Sequence, residues 1–266
     1  MPKISCIVPC LNETVESLED CFRSLSCQTF ANFECILIDE STNIESSLQC
    51  KRICELDARF TYIRPQKKMG LAGSLNLGIA ASRGEYIARF DSDDICVIER
   101  FALQSKFLDQ NPEIGVVGGF MEIIDDSGAL IGRRNYPISH QDIQKKFIFS
   151  NALAHPTVML RRSALSISGR EYDPTFKFAE DLELWLGLLN KGVMFANLPI
   201  VLVRYKQQTT TRSFGNWMYN VKARIKNFSS PYPIQKFFGI FAIIVWSLMP
   251  KSLQVAIFKK QQFKRQ

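Results

Sequence analysis

Several features of known binding sites are scarce or absent in this chain. It has only two histidines, His140 and His155, and its eight cysteines include no Cys-x-x-Cys pair. A structural zinc site is therefore poorly supported, because such sites use cysteine and histidine ligands at short, regular spacings. All eight cysteines lie within the first 96 residues. We interpret them as reduced, small apolar side chains of a cytoplasmic protein.

Glycine-rich phosphate loops and long apolar runs are also missing. No Gly-x-Gly-x-x-Gly follows the first apolar segment, and no Gly-Lys-Ser or Gly-Lys-Thr occurs. This argues against a dinucleotide-dependent enzyme and against a P-loop nucleoside triphosphatase. The mostly apolar run at 237–249 is shorter than the ~20 residues that cross a bilayer. The N-terminal apolar run is short and interrupted by Pro9, which favours a strand over a signal peptide.

Acidic residues are absent from the C-terminal part of the chain. After Glu183 there is no Asp or Glu, and residues 201–266 contain 12 Lys and Arg. Residues 1–200 carry a net charge of −5, so the two parts differ strongly in charge. This asymmetry predicts a polyanionic partner. We favour an anionic membrane surface over nucleic acid, because the basic residues flank an apolar and aromatic run; helices that cover the rest of the protein are the alternative.

The first 118 residues alternate between two apolar patterns. Segments typical of strands lie at 3–9, 34–39, 60–63, 85–90 and 114–117, and segments with helical spacing at 15–25, 44–57, 70–82 and 98–108. This alternation predicts an α/β fold with a mainly parallel, twisted sheet flanked by helices. Further along, the patterns predict a hairpin around 126–128, a helix near 140–150, a strand at 157–160 and a helix from about Glu180.

Two predicted strands end in aspartate. Asp39 closes the second strand, and Asp91, Asp93 and Asp94 follow the fourth. Ligands of parallel sheets collect at the carboxyl ends of the strands. Residues two apart in an extended segment point to the same side, so Asp91 and Asp93 can present their carboxylates together. Hard oxygen ligands suit Mg²⁺ or Mn²⁺, whose remaining ligands are phosphate oxygens and water. A simple capping turn is the alternative.

Six motifs follow one another in the chain. They are IVPCLNE at 7–13, LIDES at 37–41, GLAGSLNLG at 70–78, RGEYIARFDSDD at 83–94, HPTVM at 155–159 and EDLELW at 180–185. Together they resemble the family 2 glycosyltransferases with the GT-A fold, of the bacterial type that builds O-antigen, capsule and exopolysaccharide. The resemblance covers about residues 3–206. It implies a catalytic domain at 1–206, with a nucleotide-sugar half (1–118) and an acceptor half (119–206), before a basic, amphipathic helical region at 207–266.

The resemblance also implies a reaction. A hexosyl group would move with inversion from a nucleotide sugar, most often UDP-linked, to a hydroxyl of an acceptor saccharide carried on polyprenyl diphosphate. The enzyme would be metal-dependent and would act at the cytoplasmic face of the cell membrane. Two alternatives stay open: a sugar-nucleotide pyrophosphorylase, although its glycine-rich loop is absent, and a catalytically silent module that binds sugar or membrane.

The residues that match the family's motifs acquire expected roles on the donor side. Asp39 would accept a hydrogen bond from the uracil N–H, in a pocket that Pro9, Leu11 and Glu13 line. The cation under the diphosphate, Mn²⁺ or Mg²⁺, would be bound by Asp91 and Asp93, a set that we extend to Asp94. The other expected contacts of the nucleotide sugar are Ser92 and Arg100.

On the acceptor side, the resemblance makes Asp181 the general base, with Glu180 beside it. His155 and Trp185 are weaker candidates for contacts with the acceptor. The chain departs from the family where Tyr205-Lys-Gln-Gln208 replaces Tyr-Arg-x-His. The missing histidine removes one expected contact with the metal or the diphosphate, and Lys206 retains a positive charge there.

Overall fold

The protein, described here as a computed structural model, has one central sheet. The described residues are 1–169, 171–206, 214–229, 231–250 and 252–253. Within them the strands are β1 (Ile4–Cys10), β2 (Phe33–Asp39), β3 (Phe60–Ile63), β4 (Tyr86–Arg89), β5 (Ile95–Cys96), β6 (Ile114–Ile124), β7 (Leu130–Arg134), β8 (Met159–Arg161) and β9 (Met194–Lys206). The helices are α1 (Val15–Ser26), α2 (Ile44–Leu56), α3 (Gly70–Ala81), α4 (Arg100–Gln110), α5 (His140–Phe147), α6 (Arg162–Ser168), α7 (Glu180–Asn190), α8 (Phe214–Lys226) and α9 (Pro233–Leu248).

The sheet has a parallel part and a mixed part. Its strand order is β3-β2-β1-β4-β8-β6-β9-β5, and β7 pairs with β6 outside this path. The first four strands in this order are parallel to one another. β8 is antiparallel to both β4 and β6, whereas β9 is parallel to β6. The predicted α/β class is confirmed. Each antiparallel pair includes at least one strand that follows the acidic segment after β4.

The central strands of the parallel part are covered on both faces. Every residue of β2 is buried, as is every residue of β1 except the half-buried Pro9. Such continuous burial explains why these strands read as uninterrupted apolar runs. Helix α3 packs closely on β1, since a Cβ added to Gly78 would lie 2.4 Å from Ile7 Cγ2. Seven of the eight cysteines are buried free thiols, and Cys27 is exposed.

The second half of the chain departs further from the sequence prediction. β6 continues to Ile124 and pairs with β9, a strand of 13 residues that the apolar pattern did not predict. β5 and α6 were also missed. Because β6 runs through residue 118, the predicted nucleotide-sugar and acceptor halves share one sheet. Their division by ligand stays a prediction.

The described residues of the basic C-terminal region include two helices. α8 packs against α7, and α9 packs against α8. Across the ranges described above, no helix combines the length and the apolar character needed to cross a bilayer. Some residues of the sequence prediction lie outside the described residues: Gln207, Gln208, Arg212, Lys251 and the segment 254–266, with Lys259, Lys260, Lys264 and Arg265.

Candidate active site

The predicted aspartates meet at one edge of the sheet. In the register of β1, Cys10 lies opposite Asp39 of β2, and Ile7 lies opposite Arg89 of β4. Asp91 follows Arg89 by two residues, so the acidic ends of β2 and β4 flank the end of β1. This is the edge at which parallel sheets bind ligands.

Asp39 is fully engaged with the protein itself. Its side chain has no exposed surface. Oδ1 accepts a hydrogen bond from Ser41 N at 2.8 Å, and Oδ2 accepts from Ser47 Oγ at 2.7 Å, Tyr62 OH at 2.8 Å and Arg64 Nη1 at 2.5 Å. Burial disfavours the charged carboxylate, but the hydrogen bonds from Ser47, Ser41 and Tyr62 outweigh it and lower the pKa of Asp39.

This arrangement limits what Asp39 can offer to a nucleobase. A carboxylate accepts about four hydrogen bonds, and Asp39 already accepts four. Since the Asp39 side chain also has no exposed surface, a uracil N–H reaches this carboxylate only if a protein group that covers it moves aside. Arg64 is the donor free to do so, because its side chain is 46% exposed.

Asp91 and Asp93 lie closer to solvent. The Asp91 side chain is 26% exposed and forms an ion pair with the buried guanidinium of Arg89. Asp93 is half-buried and lines a cavity of about 110 Å³ together with Lys206. Both carboxylates are thus placed to bind a cation that has further ligands on its outer side.

Glu13 and Asp94 show that negative charge is in excess here. Burial, and then the charges of Asp93 and Asp91, raise the pKa of Glu13 to about 7. Asp94 is fully buried, and burial together with Asp91 and Asp93 raises its pKa well above the ordinary value. Its Oδ1 accepts from Lys206 N at 3.0 Å, whereas Oδ2 has no hydrogen-bond partner.

The donor set fits a hard divalent cation. Mg²⁺ is commonly bound by one or two carboxylates and completes its ligands with substrate phosphates and water. Asp91 and Asp93 supply two such carboxylates, and the raised pKa values of Glu13 and Asp94 mark a local lack of positive charge. Asp94 anchors the end of β9 through its Oδ1 and has no exposed surface, and its role as a third ligand stays a prediction.

Arg100 and Ser92 belong to the interior rather than to a nucleotide-binding surface. Arg100 has no exposed surface, and its Nη2 donates to Arg89 O at 2.9 Å and Val158 O at 3.2 Å. It ties β4 to the segment before β8, which corrects the expectation that it contacts the nucleotide. Ser92 is buried, and its side chain acts on Glu13 by lowering the pKa of that carboxyl, against the larger effect of burial.

A second acidic pair begins α7. Ala179, the residue before the helix, has a left-handed backbone with φ of 59°, a conformation that is uncommon outside glycine and often found at functional sites. Glu180 is buried and Asp181 is half-buried. Asn151 Nδ2 donates to Asp181 Oδ2 at 2.5 Å. The carboxylate of Asp181 is therefore held in position while part of it stays accessible.

Glu180 lies next to a buried histidine. Its Oε1 is 3.9 Å from His155 Nδ1, and His155 Nε2 is 2.9 Å from Tyr172 OH. Burial, and then the charge of Arg89, lower the pKa of His155 well below its ordinary value. Burial, and then the charge of Asp181, raise the pKa of Glu180 to about 8. At neutral pH both side chains are therefore mostly uncharged.

Trp185 lies behind this network. It has no exposed surface and makes edge contacts with His155, Tyr172 and Phe195. Trp185 therefore packs the core below the pair, which corrects the expectation that it contacts the acceptor. The His155 side chain is only 10% exposed and packs against Tyr172 and Trp185, so its contact with the acceptor stays a prediction.

Arg89 connects the two acidic groups. It forms an ion pair with Asp91 and interacts electrostatically with Tyr172 and Glu180. The carboxyl of Glu180 in turn feels the charge of Asp91. We call Glu13, Asp91, Asp93, Glu180 and Asp181 the acidic cluster. Arg89 lies within the motif at 83–94, but nothing in the motifs indicated Asn151, Tyr172 or Arg64.

A further compact group adjoins the Asp39 pocket. It consists of Cys10, Asp39 and Cys50, whose potential metal-ligating atoms lie within 4.8 Å of one another. Among the residues that the structure describes, no other three His, Cys, Asp or Glu side chains lie as close together. Cys50 Sγ lies 3.4 Å from Cys10 Sγ, and both are buried. Since Asp39 is already satisfied by protein donors, we treat these thiols as core packing.

Comparisons with known sequences identify the family. The model of glycosyl transferase family 2 matches residues 5–167. The amylovoran biosynthesis glycosyltransferase AmsE of Erwinia amylovora is 30% identical over 200 residues, which cover 73% of this chain and 72% of AmsE. The O-antigen biosynthesis glycosyltransferase WbnJ of Escherichia coli is 32% identical over 182 residues, 67% of this chain and 70% of WbnJ.

Solved structures share the fold at low sequence identity. TarS 1-349 of S. aureus in complex with UDP-GlcNAc has a TM-score of 0.68 at 17% identity and covers 91% of this chain and 71% of that chain. The chain spans 43% of the longer TarS structure. The mannosyltransferase PcManGT of Pyrobaculum calidifontis, in complex with GDP-Man and Mn²⁺, has a TM-score of 0.66 at 16% identity and covers 93% of this chain and 72% of that chain. The chain therefore belongs to glycosyl transferase family 2 and has the GT-A fold.

Proposed function

We propose that this chain transfers a hexosyl group with inversion from a nucleotide sugar, most simply a UDP-sugar, to a hydroxyl of an acceptor saccharide. The observation that carries the proposal is the pairing of two acidic groups through Arg89. Asp91 and Asp93 follow β4, Glu180 and Asp181 begin α7, and the buried guanidinium lies between them. A glycosyl transfer needs both groups, since one handles the leaving diphosphate and the other the incoming hydroxyl.

Asp91 and Asp93 would hold Mn²⁺ or Mg²⁺ beneath the diphosphate. The cation would neutralise the negative charge that develops on the leaving group. Arg89 orients Asp91 through their ion pair. Lys206, whose ammonium donates to Ser17 Oγ at 3.2 Å, lies beside Asp93 along the same cavity and would add positive charge near the phosphates.

Asp181 would be the general base. Its half-exposed carboxylate is held by Asn151 and can accept the proton of the attacking hydroxyl. Glu180 supports this role, because a mostly protonated neighbour adds little negative charge. A positioned base of this kind contributes typically ~10²–10⁴-fold in rate. Attack on the face opposite the diphosphate inverts the anomeric carbon.

The nucleotide would lie over the ends of β1 and β2. Leu11 is 45% exposed there, and Pro9 and Glu13 are half-buried. Asp39 would receive the base once Arg64 turns away from its carboxylate. The complex of TarS with UDP-GlcNAc supports a uridine donor, and that of PcManGT with GDP-Man and Mn²⁺ supports a divalent cation.

The acceptor would be a growing repeat unit of a bacterial surface polysaccharide. The relatives AmsE and WbnJ, named for amylovoran and O-antigen biosynthesis, support this assignment. We propose a polyprenyl-diphosphate carrier and a position at the cytoplasmic face of the membrane, where the basic C-terminal region would contact anionic lipid. Residues 1–118 would bind the donor, and residues 119–206 the acceptor.

A panel of nucleotide sugars tests the proposal. The purified chain is incubated with UDP- and GDP-sugars, with and without Mn²⁺, and both binding and slow hydrolysis are measured. We expect Mn²⁺-dependent hydrolysis of one donor, lost in Asp93→Asn and kept in Asp126→Asn, an exposed carboxylate beside the same cavity. Release of pyrophosphate from a nucleoside triphosphate and a sugar phosphate would instead identify a pyrophosphorylase. Failure to bind any donor would contradict an enzymatic role.

A further inference from the structure

Helix α9 exposes an apolar side instead of burying it. Its buried residues are Gly239, Ile243 and Ser247. The opposite side consists of large apolar residues, with these exposed fractions: Ile234 69%, Phe237 63%, Phe238 59%, Phe241 58%, Val245 45% and Leu248 70%. We call these six residues the outer face of α9.

The orientation of α9 is fixed by close packing. A Cβ added to Gly239 would lie 2.4 Å from the backbone oxygen of Ile148, so the helix approaches the segment after α5 as closely as glycine allows. Trp246 also meets Trp217 of α8 edge-on, with ring centroids 6.4 Å apart. The small side of the helix is thus bound to the protein, and a rotation that buried the phenylalanines would break this contact.

The outer face is continuous. At ~100° per residue, its six side chains fall within roughly 100° of the helix circumference. A surface helix of a soluble protein normally turns such a stripe toward the core. A large exposed apolar patch marks an interaction site for a protein or a membrane.

Charge favours the membrane as the partner. The stretch that follows α9, residues 251–266, contains five basic residues and no acidic one: Lys251, Lys259, Lys260, Lys264 and Arg265. Basic residues beside an apolar helix face are typical of segments that lie in the interface of an anionic bilayer. α9 has 16 residues and no helix of the described ranges is able to cross a bilayer, so an interfacial position is the one that fits.

We infer that the outer face of α9 inserts into the interfacial layer of an anionic lipid bilayer and holds the catalytic domain against it. Through this face the proposed enzyme would reach an acceptor that is carried on lipid. Only this consequence rests on the proposed function, because the membrane contact itself does not depend on it. The sequence suggested either a membrane contact or a cover for the domain. In the structure, the inner side of α9 covers the domain, which leaves the outer face for lipid.

Vesicle binding by the full chain tests the inference without any sugar donor. We expect cosedimentation with vesicles that contain phosphatidylglycerol, weaker binding to phosphatidylcholine alone, and further loss at high salt. The triple variant Phe237→Ser/Phe238→Ser/Phe241→Ser should reduce the apparent affinity at least about tenfold, because it removes most of the inserted apolar surface. Circular dichroism and thermal melting establish that the variant is folded.

A matched variant controls for the loss of exposed apolar side chains in general. Ile44, Leu48 and Leu56 of α2 are 76%, 58% and 86% exposed, and Ile44→Ser/Leu48→Ser/Leu56→Ser should bind vesicles like the parent. Equal binding by the α9 variant and the parent would overturn the inference, as would a parent that binds no vesicles. Self-association lost only in the α9 variant, without lipid, would show that a second copy covers this face. Because donor hydrolysis is a separate measurement, the membrane contact and the proposed function can fail independently.

Discussion

The pocket around Asp39 and the acidic cluster both place carboxylates at the end of the sheet, but their charges are balanced differently. Asp39 accepts four protein hydrogen bonds, one of them from Arg64, and its pKa is lowered. In the acidic cluster, burial and neighbouring carboxylates raise the pKa of Glu13 to about 7 and that of Glu180 to about 8.

The difference shows which carboxylates have their negative charge compensated by protein donors and which do not. The Asp39 pocket needs no added ion to be stable, because its donors compensate the buried charge. The acidic cluster has more negative charge than Arg89 and Lys206 offset, so it should gain from a cation. Four predictions test this contrast, from the largest expected effect on activity to the smallest.

Loss of the proposed metal ligands should have the largest effect. In the double variant Asp91→Asn/Asp93→Asn, the developing charge of the diphosphate would lose several kcal/mol of stabilisation, or about three orders of magnitude in kcat/KM. Steady-state kinetics over a range of Mn²⁺ concentrations measures the loss. The control is Asp126→Asn, which should retain parent activity. If the double variant kept a kcat/KM close to that of the parent, the acidic cluster would not need a cation. The contrast with the Asp39 pocket would then be wrong.

Asp181→Asn should reduce kcat by about 10²–10⁴-fold, because the amide cannot accept the proton of the acceptor hydroxyl. Donor binding, measured by calorimetry, should be unchanged. Glu183→Gln is the comparison within the same helix, since Glu183 is buried and ion-paired with Lys226 at 3.0 Å. That variant should lower stability more than kcat. A larger loss of kcat in Glu183→Gln than in Asp181→Asn would reverse the assignment.

Asp39→Asn should act mainly on stability. The substitution leaves buried donors without their charged acceptor, which costs about 1–3 kcal/mol in the free energy of unfolding. Urea denaturation measures this cost, and the affinity for UDP should fall as well. Asp20→Asn removes the partner of Arg23 on a 52% exposed side chain and serves as the control for a surface ion pair. Equal stability losses in both variants would contradict the view of Asp39 as a structural centre.

The last prediction is a pH dependence of stability, which is measured in Tm rather than in activity. The pKa of Glu180 is raised from 4.5 to about 8 by folding, so the folded state binds more protons than the unfolded state between these values. Its contribution to stability therefore falls as the pH rises from about 4.5 to about 8 and is constant above that range. Glu180→Gln should flatten this part of the curve of Tm against pH. Glu113→Gln, on an exposed loop, should leave it unchanged, and an unchanged curve in Glu180→Gln would refute the shift.

Sequence patterns predicted the parallel part of the fold well. The strand at 60–63 has the predicted bounds, and α1 buries Leu18, Phe22 and Leu25 as their spacing required. These signals are local, because a buried strand or an amphipathic helix repeats its pattern over a few residues. β9 escaped prediction because its hydrogen bonds are made with β6, about 80 residues earlier, and its own sequence includes Asn197 and Pro199.

The site was predicted in outline and corrected in detail. Motif positions brought Asp91, Asp93 and Asp181 to one region, but Arg100 and Trp185 proved to be fully buried. Burial depends on what packs over a side chain, which a motif does not contain. Asn151 was missed for the same reason, since it meets Asp181 across 30 positions of chain.

The amino-acid sequence alone determined the family, the α/β class, the acidic strand ends and the charge difference between the two parts of the chain, because each is a matter of residue type and short-range order. Only the tertiary structure decided which carboxylates are compensated by protein donors and which side of α9 faces outward. Both depend on contacts between distant segments. The four donors around Asp39 come from three different parts of the chain, and the close approach of Gly239 to Ile148 sets the rotation of the helix.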